Sequence, residues 1–277
     1  MTGVLALLVA LVGALVVQRS SRFEGGVLGL LPPLAFGATL LALWEILVVG
    51  YEVPMVLLPA PTAIANRMAA SAHILAQDFA QTFLKAVLAG YIIGCGAGFA
   101  LALIADRVPF LRQGLLPIGN LVAALPVIGI APVMVMWFGF DWQSKAAVVV
   151  AMTFFPMLVN TVTGLAAAGR IESDLMRSYA ATHRQTLFLL RLPAALPFIF
   201  TGLKVNAPLA LIGAIVAEFF GSPTIGMGFR IATEAARLAL DMVWAEIIVA
   251  AVAGSAFYGL VVLAERAATF WHPSIRG

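Results

Sequence analysis

Charge is scarce in this 277-residue sequence: Asp, Glu, Lys and Arg make up 10% of it, against 62% apolar residues and a mean hydropathy of +1.05. A water-soluble domain carries about a quarter charged residues, so this chain cannot clothe itself in polar surface. Cysteine is nearly absent. The single Cys95 rules out a disulfide framework and, sitting in an apolar stretch, says nothing about redox compartment. His73, His183 and His272 fall in three separate polar segments and make no metal cluster. Gly-x-Ser-x-Gly, His-Glu-x-x-His and Gly-x-x-x-x-Gly-Lys-Ser/Thr are all missing. Ester hydrolysis, zinc proteolysis and nucleotide hydrolysis by this chain therefore lack their machinery.

What is present are long runs without charge: Ala86–Ala105, Gln113–Phe140, Ala146–Gly169 and Ile247–Ala264. Each is near or above the roughly 18 residues needed to cross a bilayer core. Leu28–Gly50 and Ala194–Ala217 reach that length with one ionisable residue apiece, Glu45 and Lys204. The expected fold is an all-α polytopic membrane bundle in a single domain, with six core spans from about residue 30. Residues 3–18 are expected to add an N-terminal span, because they resemble a signal-peptide core but lack its basic flank and cleavage site. Arg19, Arg22, Arg107, Arg112, Arg170, Arg177, Arg184, Arg191, Arg266 and Arg276 fall in alternate loops, opposite Arg67, Lys85, Lys145, Arg230 and Arg237. The positive-inside rule places the richer set, and the C-terminus, in the cytoplasm. Their even spread argues against a nucleic-acid patch.

Within the spans, Gly90, Gly94 and Gly98 recur at i+4 and form a small-residue ridge for close helix packing. Pro117, Pro126 and Pro132, with Gly119, Gly129 and Gly139, should kink the third core span, a candidate pathway wall. Asp78, Asp106, Asp141, Asp174 and Asp241 are expected outside the spans, which argues against an intramembrane aspartyl protease. Polar residues in or near the spans are Glu45, Lys204, Asn206, Glu218 and Glu246. They are candidates for pathway roles or for structural pairing, since ionisable groups are expensive in hydrocarbon. Lys204 and Glu218 stand about 21 Å apart along a helix and cannot pair. Lys204 could meet a solute anion or a carboxylate such as Glu45, and Glu218 is expected near the external interface.

The polar loop from residue 170 to 193 contains Asp174-Leu175-Met176-Arg177-Ser178-Tyr179-Ala180-Ala181-Thr182-His183, followed by Leu192-Pro193. It resembles the "EAA loop" of binding-protein-dependent ATP-binding-cassette permeases, most nearly the nitrate, sulfonate and taurine branch. Leu58-Pro59-Ala60-Pro61-Thr62, Ala131-Pro132 through Gly139, and Gly213 through Glu218 fit in the same order. Asp174 replaces the family's Glu, Leu175 and Met176 its two alanines, and Ala180 its Gly.

The resemblance implies a type I importer permease in a bacterial inner membrane. Asp174, Arg177, Ser178, Tyr179, Ala180, Ala181, Thr182, His183 and Pro193 would form a coupling helix and its surroundings. It implies a second copy of the chain, a separate ATPase dimer holding ATP and Mg, a periplasmic solute-binding protein, and surrounding lipid, with no cofactor in this chain. Gly221, Pro223, Gly226 and Gly228 would belong to an external gate. The solute would be a nitrate-, sulfonate- or taurine-like anion or a thiamine-pyrimidine precursor. A secondary transporter or channel, or a membrane enzyme, would instead need charge relays, inverted repeats or catalytic sets that are not apparent.

Overall fold

A computed structural model describes residues 2–20, 29, 31–108, 127–221 and 224–271. Its regular elements are all helical. They are α1 (Thr2–Ser20), α2 (Leu31–Gly50), α3 (Pro61–Ala70), α4 (Ala72–Phe79), a π segment π1 (Ala80–Val87), α5 (Leu88–Ala105), α6 (Val127–Phe138), α7 (Trp142–Ala166), α8 (Arg170–Ser178), α9 (His183–Thr186), π2 (Leu187–Arg191), α10 (Leu192–Glu218), α11 (Met227–Ala236) and α12 (Leu240–Ala268). Among the described residues, six continuous helices are long and apolar enough to cross a membrane: Thr2–Arg19, Leu31–Gly50, Ala72–Ala105, Trp142–Ala166, His183–Glu218 and Leu240–Ala268. The described part of the proline-rich run is shorter, α6, with Pro132 inside it. Pro117, Gly119 and Pro126 lie outside the described residues.

The described residues divide into two compact units, Met1–Leu75 with Ile231–Ile247, and Ala76–Arg230 with Ile248–Gly277. In the first, α1 and α2 form an antiparallel hairpin, since Thr2 Oγ1 donates to the Gly50 carbonyl (3.1 Å) and Gly13 faces Thr39. Leu7, Leu11 and Leu34 are exposed, as expected of helices that present apolar side chains to lipid. Pro61 starts α3, and the Glu45 carboxylate accepts from Thr62 N (3.0 Å) and Thr62 Oγ1 (2.7 Å), satisfying an amide that a helix start leaves orphaned. Trp44 meets Trp244 edge-on at 5.0 Å, and Arg67 lies 3.6 Å from Asp241.

The second unit is built on α7. The glycine ridge of α5 lies against it: a Cβ at Gly90 would come 2.5 Å from Val149 Cβ and 2.7 Å from the Ala146 carbonyl. Because Gly90 meets Ala146 and Val149 while Gly98 meets Met157 and Leu158, α5 and α7 run in the same direction. α10 runs the opposite way, with Gly164 against Ala195 and Gly213 against Met152. α12 is antiparallel to α10, placing Gly254 by Leu211 and Glu265 by Lys204. The core between them is apolar: Val87, Val149, Ala207, Ala210 and Ala214 are fully buried, and Phe257 meets Tyr91 and Phe83 edge-on. Prolines 156, 197 and 208 each remove a backbone donor from their helices. Nearby carbonyls take side-chain donors, Leu203 O from Tyr91 Oη (2.9 Å) and Thr153 O from Asn206 Nδ2 (2.8 Å).

Two expectations about the aspartates need correction. Asp78 lies within the continuous helix Ala72–Ala105 and is completely buried, and Asp241 opens α12. Both helices begin earlier than their charge-free stretches, and each carboxylate has a cation beside it, Asp78 with Arg230 at 2.8 Å and Asp241 with the partly exposed Arg67 at 3.6 Å.

The ridge gives a paired test. Gly94→Ala pushes a methyl into Val150 and Thr153 and should destabilise by about 1–3 kcal/mol, whereas Gly96→Ala points into open space and should not. Thermal unfolding of the detergent-solubilised variants compares the two.

Candidate functional site

The loop between α7 and α10 is ordered by local chemistry. Gly169 precedes α8, which carries no buried residue although it is strongly amphipathic. Ile171, Leu175 and Tyr179, at i, i+4 and i+8, are 83%, 54% and 78% exposed and form one apolar stripe. The Asp174 carboxylate receives Arg177 at 3.3 Å, but both are exposed, so the pair adds little stability. Ser178 Oγ donates to the Asp174 carbonyl (3.0 Å).

α8 then stops in a left-handed residue. Ala180 has φ +50°, its amide bonding to the Arg177 carbonyl and the Ala181 amide to the Met176 carbonyl. A left-handed residue just past a helix is usually glycine, the residue the resembling loops carry there, and a Cβ in that conformation costs about 1–2 kcal/mol. Thr182 begins the next helix with a capping box: its hydroxyl accepts from Gln185 N, and Gln185 Oε1 accepts from Thr182 N (2.8 Å). From His183 the chain is helical through π2 to Glu218, so only the stretch up to Thr182 stands off the span; Pro193 sits in the first turn of α10.

A bidentate ion pair joins π2, where the chain re-enters the span, to the residue that follows α5. Arg191 donates to both oxygens of Asp106 (2.7 and 2.6 Å) and through Nε to the Leu165 carbonyl (3.0 Å). His183 Nε2 lies 3.9 Å from the same carboxylate. The ends of α5 and α7 and the start of α10 thus meet at one point, and a polar cavity of about 460 Å³ opens beside it among Ser173, Arg177, His183 and Arg191. Sequence reading saw Asp106 and Arg191 only as loop charges. Their separation of 85 residues hides the pairing.

Of the two roles expected for the candidate pathway residues, the structure gives Glu45, Lys204, Asn206 and Glu218 structural partners. Glu45 caps α3, and the partner of Lys204 is not Glu45 but Glu265, at 2.7 and 2.9 Å. Asn206 is completely buried against Thr153 and Cys95, inside a helix junction. Glu218, the last residue of α10, is only 3% exposed and accepts from Thr82 Oγ1 (2.7 Å) and Gly228 N (2.7 Å). Glu246 is also fully buried.

The gate glycines are held rather than loose. Gly226 donates to Asp78 Oδ1 (2.7 Å) with φ +137°, and a Cβ there would strike the Glu218 carboxylate at 2.6–2.7 Å. A Cβ on Gly228 would strike the Ile215 carbonyl. Gly221 lies in the turn after α10, and Pro223 falls outside the described residues.

Known proteins resemble this chain over most of its length. The family described as "Binding-protein-dependent transport system inner membrane component" matches residues 90–276. Formylaminopyrimidine transport permease protein ThiX of Halalkalibacterium halodurans is 36% identical over 203 residues, covering 72% of this chain and 79% of that protein. Riboflavin transport system permease protein RibX of Chloroflexus aurantiacus is 30% identical across 93% of this chain and 95% of its own. The putative aliphatic sulfonates transport permease protein SsuC of Bacillus subtilis is 28% identical across 91% and 90%.

Arg191→Ala leaves Asp106, whose side chain is 5% exposed, without its main partner. The expected loss is about 3 kcal/mol, with faster tryptic cleavage at Arg177 and Arg184, and Asp106→Asn added to it should recover part of the loss. Ala180→Gly should instead raise stability by about 1 kcal/mol, read from thermal unfolding.

Proposed function

Because the chain belongs to the family of inner membrane components of binding-protein-dependent transport systems, we propose a coupling mechanism for it as the permease subunit of an ABC importer. Permeases of this kind work with an ATPase and a binding protein. The observation that carries the proposal is the uncovered stripe Ile171, Leu175 and Tyr179 on a helix that stands clear of the span. That stripe docks in a groove of the ATPase, with Arg177 to His183 around it, and the chain itself performs no chemistry. ATP and Mg belong to the partner. Closure of two ATPase subunits on ATP moves the loop, and the Asp106–Arg191 clamp passes the movement to α5, α7 and α10 together.

The described helices of the second unit pack closely on one another, which favours a path for solute along a face of the chain, shielded from lipid by a second copy. The loop end faces the cytoplasm with the C-terminus, as the arginine distribution favours. The opposite end, at the start of α11, receives the binding protein.

For the solute we favour a small heterocycle of the pyrimidine-precursor kind over a sulfonate. Lys204 is neutralised by Glu265 and so offers no free cation to an anion, and relatives named for formylaminopyrimidine and riboflavin transport match at 36% and 30% identity. A sulfonate or taurine remains the second reading, supported by the SsuC likeness.

Leu175→Glu with Tyr179→Glu should abolish co-purification of the ATPase and solute uptake while leaving the gel-filtration profile unchanged. Uptake that persists without any ATPase contradicts the importer mechanism. Calorimetry of the cognate binding protein with an aminopyrimidine and with taurine decides the solute: heat from taurine alone overturns the heterocycle.

A further inference from the structure

The start of α11 is capped from far away in sequence. Its leading amides belong to Gly226, Met227, Gly228 and Phe229, groups a helix leaves without internal partners. Gly226 N donates to Asp78 Oδ1 (2.7 Å), Met227 N to Thr82 Oγ1 (2.8 Å), Gly228 N to Glu218 Oε2 (2.7 Å), and the Phe229 amide also to Glu218. Thr82 closes the set by donating to Glu218 Oε1 at 2.7 Å, and Arg230 Nε returns to Asp78 Oδ2 at 2.8 Å. Asp78 and Thr82 are completely buried and Glu218 nearly so. Two carboxylates thus face the positive end of a helix dipole in a dry setting, where such contacts are strong and sensitive to distance.

The contributing residues come from two different helices. Asp78 and Thr82 lie on α4 and π1, whereas Glu218 is the last residue of α10. α10 begins next to Arg191, so the clamp at the loop and the cap at α11 are the two ends of one helix of 27 residues, about 40 Å long. Thr82 sits in a π segment, a geometry frequent at functional sites. Gly226 and Gly228 suit this arrangement because side chains there would collide with Glu218 or Ile215.

We propose that Asp78, Thr82 and Glu218 form a latch that holds the start of α11 closed at the extracytoplasmic end in the resting transporter. A shift of α10 driven from the coupling loop draws Glu218 away from Thr82 and releases α11. These are positioning residues: they touch no solute but set when the outer gate can open. The proposal rests on the orientation and ATPase coupling inferred above.

The test uses Thr82, where Val keeps the shape but removes the hydroxyl, and Ser keeps the hydroxyl. In a Cys95→Ala background, Met227→Cys provides a reporter at a position that is fully buried. The complete transporter in proteoliposomes is treated with a membrane-impermeant maleimide added to either side. With Thr82→Ser the label should enter as slowly as with Thr82 unchanged. With Thr82→Val it should enter roughly tenfold faster from the extracytoplasmic side, and ATP hydrolysis without binding protein should rise, an effect that mere misfolding would not produce. Equal labelling in the Val and Ser variants overturns the latch. Faster labelling without a rise in hydrolysis overturns its part in the cycle while leaving the importer reading intact. Acceleration only from the cytoplasmic side overturns the orientation, and the proposal with it.

Discussion

Hydrocarbon supplies no hydrogen bonds, so every polar group in this chain must find its partner within the protein or reach the membrane surface. That constraint sorts the second unit. The middle of α5, α7 and α10 is glycine, alanine and β-branched residues in close contact, with Asn206 and Tyr91 among its few polar side chains, both bonded to backbone carbonyls. Strong polar contacts gather at the two ends instead, Asp106 with Arg191 at one and Asp78, Thr82 and Glu218 at the other. Lys204 with Glu265 is a part-buried pair between these, joining α10 to α12.

Such a layout suits a lever. Closely packed helices resist compression and pass displacement along their length, and the polar ends give the two points at which it is gripped. π segments mark the entry to α10 and the start of the long helix that it touches, at π2 and π1. The loop outside, α8, keeps an apolar stripe uncovered and so is accessible to a partner, while Arg191 ties π2, which follows the loop, to the ends of α5 and α7.

Much of this was legible from residues alone. Three of the four charge-free runs mark spanning helices, only residues 127–140 of the fourth being described, and the i+4 glycines gave a helix contact that the structure assigns to α5 on α7. The order of the loop motif within those spans carried the family resemblance, and Ala180 at the family's glycine position turns out to be left-handed. Pairings between distant residues were not legible. Nothing local tells Lys204 to choose Glu265 over Glu45, or brings Asp78 to Gly226 across 148 residues. Glycines near residue 226 read as freedom in a sequence, whereas here their missing side chains make room for Glu218.

The central claim is that α10 carries movement from the coupling loop to the opposite end as a rigid body. In the proposed importer with two copies of the chain, spin labels at Tyr179→Cys and, separately, at Phe220→Cys report the distance between the copies, before and after the nucleotide state is trapped. Rigid transmission predicts that both distance distributions shift together. A shift at position 179 with an unchanged distribution at position 220 would contradict it.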